Sequence, residues 1–268
     1  MRAFRVVVVS FVVLFLLAPL LVITVGSVNP SRYLQFPPEG FSLTWYGQLL
    51  TDAGWQRSIR YSLTIAFLSA ALAVLIATPL AFVLRTYRIR LAPVIYTLGI
   101  LPFMLPPIIS ALGMQIFWLS TGHVGRIENV IIAHGIFFST LPLVTISLAM
   151  ETMDRSLPEA ASTLGADRPT TFRTVVLPLL VPSMITGYAA AFVLSLNEYI
   201  ISFLVAGFTV ETLPVKIVNG LRYGFTPTIA AVAVVFIVIA ATTFTLFAIF
   251  GNLMRFLGAD PEILEKNG

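Results

Sequence analysis

Apolar residues gather in six long stretches, residues 6–28, 61–84, 91–119, 130–150, 182–204 and 228–250, each separated from the next by a polar segment. A helix needs about 20 mainly apolar residues to cross a bilayer, and all six runs meet that length. They are apolar all round, whereas barrel strands alternate over about 10 residues, so helices are predicted throughout. None of the six contains Lys, Arg or Asp, and Glu198 is the one acidic residue within them. The pattern predicts an all-α membrane protein with six transmembrane helices in a single domain, 1–268.

The first run follows Arg2 and Arg5, as a leader peptide would. It extends to Val28, past the ~7–15 apolar residues of a leader, and no A-x-A-like cleavage site follows, so an uncleaved first helix is expected. Six crossings put both ends on one side. With the N-terminus inside, the inner segments hold Arg2, Arg5, Arg85, Arg88, Arg90, Arg155, Arg168, Arg173, Arg255 and Lys266. The outer ones hold Arg32, Arg57, Arg60, Arg126, Lys216 and Arg222. The short Arg85–Arg90 loop carries three arginines and no acid, and short loops weigh most, so the topology is predicted N-in and C-in. The tail from Arg255 to Gly268 is expected to be polar and loosely packed.

Composition excludes the main alternatives. The hydrophobic share is 58% before glycine is counted, charged residues are 10%, and mean hydropathy is +0.96. A soluble domain carries about 25% charged residues, and neither it nor a disordered chain fits. There is no cysteine and there are two histidines, with no H-E-x-x-H, so no metal site is expected. His123 is expected in a loop and His134 as a hydrogen-bonded helix residue. The net charge of +4 fits basic inner loops and does not call for nucleic acid. Proline is common inside the runs, as at Pro19, Pro79, Pro102, Pro106, Pro107 and Pro142. The Pro102–Pro107 cluster predicts a kinked third helix, serving either a pathway or packing alone. No internal repeat is evident beyond three helices plus three.

The polar stretch after the fourth run is patterned. Ser156 and Glu159 have capping-box spacing, Pro158 lies in the first turn, and Gly165 stands where a helix ends in left-handed geometry. Leu157, Ala160, Ala161 and Leu164 fall on one stripe. A short extramembrane helix of about two turns is predicted, followed by a second start at Asp167-Arg168-Pro169. The stripe packs either on this chain's own helices or on a partner.

The motif Glu159-Ala160-Ala161, then Gly165, then Val175-x-Leu177-Pro178, resembles the EAA loop of membrane permease subunits of binding-protein-dependent ABC importers, with Val175 for the commoner Ile. The resemblance runs from the second helix to the sixth. It implies a type I ABC importer permease fold in a bacterial inner membrane, crossed several times. It implies that the loop 156–178 is a coupling helix docking in a groove of a cytoplasmic ATPase subunit. Glu159, Ala160, Ala161, Leu164 and Gly165 are then the ATPase-coupling residues. The implied partners are ABC ATPase subunits, a second, homologous permease chain and a periplasmic solute-binding protein. No G-x-x-x-x-G-K-[ST] loop is present, so the chain itself is not expected to be an enzyme or to bind a cofactor; ATP and Mg are used by the partner.

Glu198 in the fifth run marks candidate chemistry, because a charge at the bilayer centre costs about 2.5–3.5 kcal/mol and usually faces a cavity or partner. Ser195, Glu198, Tyr199 and Ser202 are expected to share one helical face, and with Asn197 they form the candidate substrate pathway. The structural alternative is a glutamate at interface level or paired with another subunit. The text from Asn197 to Phe203, with Gly207, Thr212–Ile217 and Arg222–Pro227, is similar to the spermidine/putrescine branch of these permeases. That branch often has two adjacent acids where this chain has Asn197-Glu198, and an Asn-Ala pair soon after the proline, where this chain has Ile229-Ala230-Ala231. The implied cargo is a small cation, a polyamine first, with an opine-like or other small solute as the alternative. Carboxylate and aromatic faces suit a flexible polyamine. An ion-gradient-driven secondary transporter using Glu198 is the reading from another class.

Overall fold

A computed structural model describes residues 2–32, 36–87, 89–154, 156–222 and 226–250. Tyr223-Gly224-Phe225 and the tail from Arg255 lie outside the described residues. Every regular element among the described residues is helical. The chain divides into two compact units, Met1–Arg60 with Val215–Ala241, and Tyr61–Pro214 with Thr242–Gly268.

In the first unit, α1 (Arg2–Gly26) is apolar on every side and its apolar side chains are exposed almost to its end. That exposure is expected of a helix surrounded by lipid or by another subunit. The following loop is tied by its own polar groups. Trp45 Nε1 donates to the Asn29 carbonyl at 2.6 Å, and the Ser27 and Tyr46 hydroxyls lie 2.7 Å apart. After α2 (Thr44–Thr51), Trp55 in the first turn of α3 (Ala53–Thr86) carries the Lys216 ammonium 5.1 Å above its ring.

The second unit holds the packed core. Along α3, Ala66, Ala70, Ala73, Ala77 and Ala81 are buried at spacings of three and four. Such small residues let helices approach closely where lipid supplies no hydrophobic drive. Over the expected 91–119 run, α4 (Ala92–Met104) and α5 (Pro107–Ser120) meet at a bend of 101°, at the proline cluster where a kink is expected. A residue before proline is pushed to extended backbone, and both Leu105 and Pro106 precede one; their ψ values are 147° and 132°. Pro106 has no N–H for the Pro102 carbonyl, and Ser110 Oγ donates to it at 3.4 Å.

α6 (Ile127–Phe138) and α7 (Thr140–Thr152) form one apolar span over 127–152. α10 (Leu177–Asn197) packs along α7, and Gly187 is the reason it can. A Cβ there would stand 2.5 Å from Pro142 Cα and 2.8 Å from the Thr145 hydroxyl. Between them lie α8 (Ser156–Thr163), α9 (Arg168–Thr171) and a π-turn, Phe172–Val176. α11 (Ile200–Ala206) then α12 (Leu213–Leu221) lead to α13 (Pro227–Phe250).

Four helical segments of the described residues are long and apolar enough to cross a membrane: Phe4–Gly26, Ala53–Thr86, Ile127–Thr152 and Arg168–Asn197. The bent α4–α5 pair makes a fifth if counted as one span, and Pro227–Thr243 is a shorter apolar helix. The expected fifth run, 182–204, is displaced: its helix begins earlier and stops at Asn197.

Candidate functional site

Two groups of residues singled out in the sequence are brought to definite geometry. The first is the loop after α7. The expected Ser156–Glu159 box is replaced by an acid two residues upstream of Ser156, since Asp154 Oδ1 accepts the Ser156 N–H at 2.9 Å. That backbone bond is the main cause holding the Asp154 carboxyl below its usual range. α8 ends where Gly165 takes φ +88°, a conformation that costs other residues strain. Gly165 N–H bonds the Ser162 carbonyl and Ala166 N–H the Ala161 carbonyl, both at 3.0 Å, the paired bonds that close a helix at a left-handed residue. Asp167 then caps α9, accepting the Thr170 N–H at 2.9 Å. Hydrogen bonds from Thr170 keep its carboxyl below the ordinary range.

No residue of α8 is buried. Leu157 is 44% exposed and Leu164 89% exposed, Ala160 is exposed and Ala161 half-buried. Among the described residues the stripe is covered in part: Leu157 lines a pocket with Leu148 and Leu179, while Leu164 is left almost fully exposed. Glu159 is exposed and lines a pocket with Arg85, Arg168 and Phe172. Phe172 anchors the loop from below, its ring 4.5 Å from that of Phe82 on α3.

The second group surrounds Glu198, and here the expected common helical face is corrected. α10 stops at Asn197, Glu198 is extended at ψ 126°, and α11 starts only at Ile200. A new helix exposes unsatisfied N–H groups at its start. The Glu198 carboxylate meets two of them: Oε1 accepts from Ile201 N at 2.9 Å and Oε2 from Ser202 N at 3.0 Å. The negative charge also sits where a helix N-terminus favours it. The side chain is 9% exposed.

A contact not expected from the sequence joins Glu198 to His134, whose imidazole is fully buried on α6 with Nε2 3.1 Å from Glu198 Oε2. Its Nδ1 lies 2.7 Å from Ser195 Oγ, and Ser202 Oγ lies 3.1 Å from Nε2. Ser195 is thus brought to the Glu198 carboxylate through His134, and Ser202 both through His134 and by its own N–H. Asn197 is exposed, its amide donating to the Val193 carbonyl at 2.9 Å, and Tyr199 is half-buried, stacked on Phe203 with centroids 5.4 Å apart. A signal was present: one histidine and one glutamate, each alone in an apolar run, are cheapest when paired. Among the described residues no three His, Cys, Asp or Glu side chains converge as metal ligands would.

The arrangement joins an outward-turned amphipathic helix to a long span ending in a shielded carboxylate. Residues 73–256 match the model of the binding-protein-dependent transport system inner membrane component family. The chain belongs to that family. It is a multi-pass membrane protein, and relatives agree over most of its length. It is 32% identical over 236 residues to the putrescine transport system permease protein PotI of Escherichia coli, covering 85% of this chain and 84% of that one. It is 30% identical over 226 residues to the spermidine/putrescine transport system permease protein PotC of Haemophilus influenzae, covering 84% and 88%. In fold, this permease is similar to a chain of a bacterial ABC transporter involved in import of the acidic polysaccharide alginate, with a TM-score of 0.73, 17% identity and coverage of 93% and 95%. The MetNI methionine ABC transporter has a TM-score of 0.61 at 17% identity, covering 72% of this chain and 92% of that chain.

Proposed function

We propose that this permease is one membrane subunit of an ATP-driven importer that carries polyamines, spermidine or putrescine, across a bacterial inner membrane. It spans that membrane six times as one domain with both termini inside, its bent third crossing and α13 completing the count. A second, homologous permease chain lines the other half of the pathway, and a periplasmic binding protein delivers the cargo. ATP and Mg are bound by separate ATPase subunits, and this chain has no ATPase site of its own.

The single observation that carries the coupling is the exposed end of the α8 stripe. Leu164, and part of Leu157, present apolar area that no described residue covers, on a helix stopped by the left-handed turn at Gly165. Ala160 and Ala161 allow close approach, Glu159 sits at the rim, and Gly165 sets the exit angle. Relatives that carry polyamines support the cargo, and the Glu198–Tyr199 pair offers a carboxylate and a ring to an alkyl ammonium. α10 is 21 residues long, so Glu198 stands about 31 Å from its start at Leu177, toward the far side from α8.

The test is uptake of labelled putrescine into proteoliposomes holding the assembled complex. Uptake that requires ATP and the binding protein is expected. Uptake driven by an ion gradient without the ATPase would overturn the importer reading in favour of a secondary transporter.

A further inference from the structure

We infer that His134 is a positioning residue for transport: from α6 it clamps the Glu198 carboxylate, and through it the α10–α11 break, so that one carboxylate oxygen stays available to a cation. The inference deepens the polyamine reading and rests on it.

A carboxylate accepts and cannot donate, so the proton on the His134–Glu198 bond belongs to Nε2. The opposite ring nitrogen is held by Ser195 Oγ, which fixes the plane of the imidazole. Both nitrogens of a fully buried ring are therefore engaged, and the ring edge meets Phe138 at a centroid distance of 5.5 Å. Glu198 otherwise has three side-chain torsions to wander through. Ile201 N, Ser202 N and His134 Nε2 together occupy three of the roughly four acceptor positions on the carboxylate. Among the described residues the remaining one is on Oε1, the oxygen that His134 does not touch. The clamp thus leaves a single directed acceptor on a side chain that is otherwise spoken for.

The break depends on the same bonds. α11 has seven residues, too few to persist without capping and packing. Ile201, whose N–H Glu198 holds, lines an apolar cavity with Ala133 and Phe137 of α6 and with Pro102 and Leu105 at the α4–α5 bend. Release of Glu198 would loosen α11 beside that bend. His134 and Glu198 are 64 residues apart, so only the fold creates the pair.

The experiment uses the assembled complex in lipid, with His134→Ala and His134→Gln, whose amide can still donate to Glu198. Two quantities are read: the KM and maximal rate of putrescine uptake, and hydrogen–deuterium exchange of the Ile201 and Ser202 amides. His134→Ala is expected to raise KM about tenfold, the effect of losing one bond to a charged group, with maximal rate much less changed and faster exchange at both amides. His134→Gln is expected to restore most of both. Unchanged KM, with or without faster exchange, overturns the proposal, as does His134→Gln failing as badly as His134→Ala. If the unmodified complex takes up no putrescine, the polyamine reading fails instead, and the exchange rates alone decide the clamp.

Discussion

Leu164→Ala offers a sharp test of what α8 is for. Leu164 is 89% exposed, at the last turn before Gly165, so truncation removes almost no contact within the chain. Folding stability should then change by no more than about 0.5 kcal/mol, as for other surface substitutions. If a partner buries this side chain, three carbons at about 0.8 kcal/mol each are lost from the interface, about 2 kcal/mol for a residue this exposed. That corresponds to roughly 30-fold weaker association. The assay is titration of the ATPase subunits onto lipid-embedded permease by interferometry, with thermal stability of the permease measured in parallel. Unchanged affinity would refute the docking argument. A large fall in the permease's own stability would refute the exposure on which the magnitude rests.

Three further outcomes follow from the geometry. Glu198→Gln removes a charge-assisted acceptor worth about 1.5–3 kcal/mol, so uptake of a diamine should show a KM raised roughly 10- to 150-fold, with assembly intact by size exclusion. Gly187→Val places side-chain atoms on Pro142 and should cost at least the ~1–3 kcal/mol of overpacking, seen as a lowered melting temperature and poor recovery from membranes. The lowered carboxyl of Asp167 means that its cap on α9 contributes above the ordinary carboxylate range and is lost as pH falls through the lowered value, so exchange at the Thr170 amide, corrected for its intrinsic pH dependence, should rise in acid; Asp167→Asn should abolish that rise.

What could be read from sequence was whatever is written locally. The apolar runs, the short helix ending at Gly165 and the second start at Asp167 each depend on residues within a few positions of one another. The proline cluster announced a kink, but its 101° angle reflects two successive residues, Leu105 and Pro106, forced extended, and a count of prolines does not give that. The break at Glu198 had no such local mark. Neither glycine nor proline stands there, and helical spacing put Ser195, Glu198, Tyr199 and Ser202 on one face. The carboxylate instead turns onto the N–H groups of Ile201 and Ser202, and His134, distant in sequence, holds it there. Ser156 was legible as a cap from its spacing to Glu159, but Asp154, a stronger acceptor two residues earlier, reaches its N–H.

The chain contains no cysteine, so Leu164→Cys supplies a single thiol on the surface held to be gripped by the ATPase. A membrane-impermeant maleimide should label it in inside-out vesicles, fail to label it in right-side-out cells, and lose access when the ATPase subunits assemble. Labelling from outside the cell, or labelling in inside-out vesicles that assembly leaves unchanged, would contradict the account.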